Sequence, residues 1–184
     1  MSEVNKQIVS TSKFLSLVLR HQPAVIGMQL DIEGWLPIDE LIENANKHGK
    51  PITLELLHEV VATNDKNRFA LGEDGLRIRA NQGHSVADVE LNLEAKTPPD
   101  LLFHGTVAVF LESIREHGLQ KRSRNHVHLS VDEATAVKVA QRRGKPIILV
   151  IEANRMCEVG YEFYLSANGV WLTDKVPPDQ IRFP

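Results

Sequence analysis

The sequence predicts an α+β protein built as two lobes, and three observations point there. The first half carries three amphipathic helical patterns followed by a hairpin signal. A stretch over 86–99 has no strong periodicity and ends in Pro98-Pro99, as a bridge would. The second half alternates strand-like and helix-like segments and closes on another hairpin signal, which predicts a mainly antiparallel sheet with helices. At 184 residues, each lobe is large enough to bury a modest core. The expected division is 1–90 and 91–184.

Ser10, Thr11 or Ser12 is expected to cap or lead into the first helix, which runs through Phe14, Leu15, Val18 and Leu19. It stops at Gln22-Pro23, since a proline pushes the residue before it out of the helical region. Its last turn holds Arg20 and His21, cations that the helix dipole alone favours by about 0.3–1 kcal/mol. Pro37 and Asp39 introduce a second helix with Ile38, Leu41, Ile42 and Ala45 on one face, closing at His48-Gly49. Thr53 caps a third, with an apolar stripe of Leu54, Leu57, Val60 and Val61. "RFALGEDGLRIRA" then alternates around a Gly-Glu-Asp-Gly turn, with Leu76 and Ile78 expected inward and Arg77 and Arg79 outward. Helices followed by a hairpin wing suggest a winged-helix lobe. In the second half "LLFHGT", "NHVHLSV" and "PIILVIEA" read as strands. "VFLESIREHGL" reads as a helix stopped by Gly118, and "DEATAVKVAQRRG" as a helix capped by Asp132 and ended by Gly144. "YEFYLSANGVWLT" reads as a hairpin over Ala-Asn-Gly.

Composition narrows the function classes. The chain is 42% hydrophobic and 24% charged, without an apolar run long enough to span a membrane and without a secretory pattern at its start. Cys157 is the only cysteine, which excludes an intramolecular disulfide and a cysteine-based zinc site and suggests a reducing cytoplasm. A net charge of −3 argues against nonspecific coating of nucleic acid but leaves room for a local arginine pocket. The sequence has no Walker loop, no GxGxxG after a strand, no GxSxG and no HExxH. His126 and His128 share one strand face, but no further ligand follows at metal-site spacing, so no metal is expected. The arginines say more. Arg20, Arg68, Arg77, Arg79, Arg122, Arg124, Arg142 and Arg143 lie at element ends, on the wing or in loops, where forked guanidinium groups could grip phosphate in a cleft.

Eight stretches carry a resemblance: "LSLVLRHQP", "EGWLPIDELI", "NDKNRFAL", "RIRANQGHS", "LFHGT", "HVHLS", "RRGKPIIL" and "NGVWLT", in that order. From about residue 12 to the C-terminus the chain resembles the NAD-dependent RNA 2′-phosphotransferases, which remove an internal 2′-phosphate left at an RNA splice junction. The resemblance implies an N-terminal winged-helix RNA lobe and a C-terminal lobe of the ADP-ribosyltransferase fold. It implies Arg20, His21, Arg68 and Arg142 as the catalytic set, with Arg143 the rival for the last position. It places His104, Gly105, Thr106, Ser113, Gly118, Leu119 and His128 at NAD, with His126 the alternative to His128. It places Arg77, Arg79 and His84 on RNA.

The implied reaction has two transfers. The RNA 2′-phosphate displaces nicotinamide from NAD, giving a 2′-phospho-ADP-ribosyl RNA. The neighbouring ribose hydroxyl then takes the phosphorus, releasing 2′-OH RNA and ADP-ribose 1″,2″-cyclic phosphate. Protein-modifying members of that fold carry a late-strand glutamate, and the matching position here is Val170, with Glu158 and Glu162 nearby. The rivals are an ADP-ribosyltransferase acting on a protein or a nucleic-acid terminal phosphate, and a non-enzymatic NAD-sensing regulator. The acidic third helix disfavours the regulator as a DNA reader. The protein is expected to act as a monomer away from membranes.

Overall fold

Helix α1 spans Glu3–Arg20, so Ser10, Thr11 and Ser12 lie inside it and not at its cap. The reason is tertiary: Thr11, Leu15, Val18 and Leu19 are buried and Ile8 packs on the same core, a helical stripe that begins before the polar cluster. The structure is a computed structural model describing residues 3–86 and 88–184; Ala87, within the expected bridge, and the first two residues of the N-terminal stretch lie outside the described residues. The chain is α+β. It divides into two compact units, Met1–Asn92 and Leu93–Pro184.

In the first unit, α1 is followed by β1 (Trp35–Pro37), α2 (Ile38–Lys47), α3 (Leu54–Ala62), β2 (Phe69–Leu71) and β3 (Arg77–Ala80). Strand β1 carries no readable period at three residues, and its Pro37 suits an edge. The sheet order is β1-β3-β2, antiparallel throughout. Thr53 caps α3, its Oγ1 accepting from the Leu56 amide at 3.2 Å. Leu15, Leu19, Leu36, Leu41, Leu57 and Ile78 form the core; burying each such side chain contributes about 1.5–3 kcal/mol. Leu76 departs from expectation: it is 64% exposed, because the Gly72 amide bonds the Arg77 carbonyl and the turn therefore extends through Leu76. Ile78 is buried as expected.

The second unit contains β4 (Leu102–Thr106), α4 (Leu111–His117), β5 (Leu119–Gln120), β6 (Val127–Leu129), α5 (Glu133–Ala140), β7 (Ile147–Ile151), α6 (Ala153–Glu158), β8 (Tyr164–Leu165), β9 (Trp171–Thr173), β10 (Lys175–Val176) and β11 (Ile181–Arg182). Every strand pair is antiparallel. Two three-stranded sheets, β11-β7-β4 and β6-β9-β8, are joined where Phe103 and Ser130 exchange backbone hydrogen bonds of 2.9 and 2.8 Å. Asp132 caps α5 through the Thr135 amide at 2.7 Å. Helix α5 ends at Ala140, and a short 3-10 turn over Gln141–Arg143 carries the chain to Gly144. No described helix is long and apolar enough to cross a membrane.

Candidate active site

In the first unit, the loop over 81–85 gathers three of the expected residues. Arg20 ends α1, and its carbonyl accepts from the Ser85 amide at 2.8 Å. The next residue, His21, is exposed and shares a 2.9 Å hydrogen bond between its Nδ1 and the Ser85 hydroxyl. Gly83, at φ 88°, passes close beneath Arg20; a Cβ there would stand 3.7 Å from the guanidinium. At the other end of the loop the Asn81 amide donates to the Arg68 carbonyl at 2.9 Å.

Arg68 is aimed by Asn64. The buried Asn64 Oδ1 accepts from Arg68 Nη1 at 3.1 Å and from the Arg68 and Lys66 amides at 3.3 Å. A side chain that holds the guanidinium and its own backbone together fixes where that cation points. Sequence reading missed this asparagine, although "NDKNR" places it four residues before the arginine, at the end of a helix where Asn commonly turns the chain.

His84, expected on RNA, is 1% exposed and packs beneath Gly34, where an added Cβ would meet its Nε2 at 3.0 Å. It anchors the loop that carries Ser85. Arg77 and Arg79 lie on the outer sheet face, both against the Trp35 ring.

The second unit assembles a different group. His104 on β4 donates from Nδ1 to the His128 carbonyl at 3.0 Å, which leaves Nε2 as an acceptor in the neutral ring. Burial holds its pKa below the usual imidazole value, and the positive charges of Arg143 and Arg124 push the same way against that backbone bond. Arg124 Nη1 donates to His128 Nδ1 at 3.4 Å. Although Arg124 as a residue is exposed, its guanidinium is partly withdrawn from water, which lowers its pKa, with Arg143 adding to the effect. Arg124 and Arg143 are thus the cations whose charge bears on His104; Arg142 and Arg143 both lie exposed on the 3-10 turn. The signal in the sequence is the spacing: Arg124 and His128 sit four apart in "RNHVH". His126 turns elsewhere, its ring edge-on to Tyr164 at 5.7 Å, and burial lowers its pKa.

Of the remaining expected cofactor residues, four are tied into the packing of the second unit and Ser113 is not. A side chain at Gly105 would collide with the Ala136 carbonyl, because α5 lies directly on β4. Gly118 ends α4 at φ 71°, against the Val176 carbonyl. Thr106 and Leu119 are buried, and Ser113 is exposed on α4. Tyr164, on the strand paired with β9, donates its hydroxyl to Glu162 at 2.9 Å. Among the described residues, no three or more His, Cys, Asp or Glu side chains are grouped to hold a metal ion.

The family model for RNA 2′-phosphotransferase, Tpt1/KptA family, matches residues 6–175, which include both residue groups. The chain belongs to this family. Its relatives in the Tpt1/KptA family cover nearly all of it. One from Rhodopirellula baltica is 68% identical over 99% of both chains. One from Flavobacterium johnsoniae is 56% identical over 95% of both, and one from Escherichia coli O45:K1 is 50% identical over 97% of this chain and 92% of its own. Each of the three is called "Probable RNA 2′-phosphotransferase".

Proposed function

We propose that the protein removes an internal 2′-phosphate from RNA by transferring it to NAD, yielding 2′-OH RNA, nicotinamide and ADP-ribose 1″,2″-cyclic phosphate. The observation that carries this reading is the family match over residues 6–175. In this reading the first unit is a winged-helix RNA lobe and the second an ADP-ribosyltransferase-like NAD lobe, in a cytoplasmic monomer.

Arg20 and Arg68 hold the RNA phosphate and stay charged at any working pH. Positioning of this kind can supply several kcal/mol toward the barrier. As phosphorus leaves the RNA 2′-oxygen, that oxygen needs a proton, and His21, exposed and oriented by Ser85, is the group assigned to it. The donor set of the second unit fits an anionic dinucleotide: two arginines beside two histidines, His104 and His128. NAD, as co-substrate, supplies a ribose carbon whose leaving group is nicotinamide. Arg124 and Arg143 are assigned to its phosphates and to the charge that develops during transfer, and His104 Nε2 accepts from a hydroxyl. The partial burial of Arg124 and its bond to His128 favour it over Arg142 for the catalytic arginine of this unit.

The test is incubation with a short RNA bearing one internal 2′-phosphate, with and without NAD. The expected result is phosphate loss only with NAD, alongside the cyclic phosphate product. An adduct that goes no further would mark an ADP-ribosyltransferase, and no change in either arm would overturn the reading.

A further inference from the structure

We propose that the outer face of the β1-β3-β2 sheet is a stacking subsite for an unpaired RNA nucleotide flanking the one that bears the 2′-phosphate; this rests on the RNA reading above. Trp35 is the cross-strand partner of Arg79, and Pro37 that of Arg77. The Arg79 guanidinium carbon lies 4.5 Å from the Trp35 ring centroid and that of Arg77 5.4 Å. Ile78 and Ala80 fill the inner face, so the alternation of the strand turns Arg77, Arg79 and their partner Trp35 outward. Ala70 pairs with Arg79 on the same face. Arg68 precedes Ala70 by two residues and continues the ladder through its bond to Asn81, so it shares that face. One surface therefore runs from the arginine assigned to phosphate, across Arg79, to an indole.

Holding two guanidinium groups against one ring brings like charges together, and an anion between them relieves that repulsion. Among the described residues, the only carboxylate paired with either is Asp74, whose Oδ2 is 3.7 Å from Arg77 Nε, both side chains being about half exposed. Arg79 uses Nη1 on the Glu33 carbonyl at 3.5 Å. Indole and guanidinium planes stack on nucleobases, and the guanidinium edges accept the sugar-phosphate chain, the combination by which unpaired RNA is bound. A duplex hides its base faces. Helix α3, the counterpart of a groove-reading helix, carries Glu55 and Glu59 and neither lysine nor arginine. The surface fits a single strand.

The chain has two tryptophans, and Trp171 is only 7% exposed, so quenching of intrinsic fluorescence by RNA reports Trp35. The probe is a single-stranded oligonucleotide with one internal 2′-phosphate, compared with the same RNA carrying an abasic residue beside the phosphate and with its duplex. Quenching by the single strand is expected, with loss of quenching and roughly tenfold weaker binding for the abasic RNA. Trp35→Leu should raise KM for RNA about tenfold with kcat little changed, and Trp35→Phe should restore most of the affinity. Absence of quenching in a protein that still removes the phosphate, or equal quenching by abasic RNA or duplex, overturns the subsite. Base-dependent quenching without phosphate removal leaves the subsite standing and overturns the reaction instead.

Discussion

The two units hold their candidate groups by opposite means. In the first, arginines are aimed by neutral partners: Asn64 grips Arg68, and the loop over 81–85 fastens Arg20 and holds His21 through Ser85. In the second, cations bear on titratable rings, and burial keeps His104 neutral beside Arg124 and Arg143. The difference separates two tasks. A phosphate grip should be indifferent to pH, whereas a site that accepts hydrogen bonds through imidazole nitrogens depends on keeping those rings unprotonated.

The largest effect expected is on activity, from Arg68→Ala. It should fold normally and lower 2′-phosphate removal by about 10²–10³-fold, the loss typical of deleting one charge-stabilising donor. Circular dichroism alongside single-turnover assays checks both halves, and an unfolded variant would assign Arg68 to structure. In the second unit the strongest predicted change is structural. Gly105→Ala forces a methyl group into the Ala136 carbonyl and should destabilise by roughly 1–3 kcal/mol, read as a lower denaturation midpoint. Next comes the choice between neighbouring arginines: Arg124→Ala should cut turnover about tenfold or more, equivalent to about 1.4 kcal/mol, and Arg142→Ala much less. The reverse ranking would restore the arginine that the Gly-Lys-Pro motif suggested.

The smallest effect is the pH dependence of stability. Because the folded pKa of His104 lies below its ordinary value of about 6.5, the unfolded chain binds the proton first as pH falls. Stability is therefore complete above that value, declines as pH drops below about 6.5, and levels off once the folded ring also protonates. His126 contributes in the same direction. Equilibrium unfolding between pH 8 and 5 should show this slope, and His104→Gln should flatten it. An unchanged slope would mean that other groups carry it.

Features specified by local chemistry were legible in the sequence. Thr53 and Asp132 cap their helices as read because a side-chain oxygen meets an amide three residues away. The strands around "LFHGT" and "IILVI" were visible as short apolar runs bounded by turn residues. Features specified by distant packing were not. The start of α1 depends on what Ile8 and Thr11 touch, and the exposure of Leu76 on where a turn closes. The burial of His84 depends on the backbone at Gly34, fifty residues earlier in the chain. The site residues divide the same way. Motif order brought forward Arg20, His21 and Arg68, but the bond from Arg124 to His128 exists only once the loop carrying Arg124 has folded beside β6.

The loop over 81–85 acts as a gauge. One end is set by the Asn81 amide on Arg68, the other by the Ser85 amide on Arg20, and the buried ring of His84 pins the middle. An extra residue anywhere within it would add about 3.3–3.6 Å of chain and shift Ser85 off His21 without touching either cation directly. Chemical identity at Arg20, His21 and Arg68 is thus only half of the specification. The other half is a count of residues, and the chain can tolerate a changed letter in this loop more readily than a changed length.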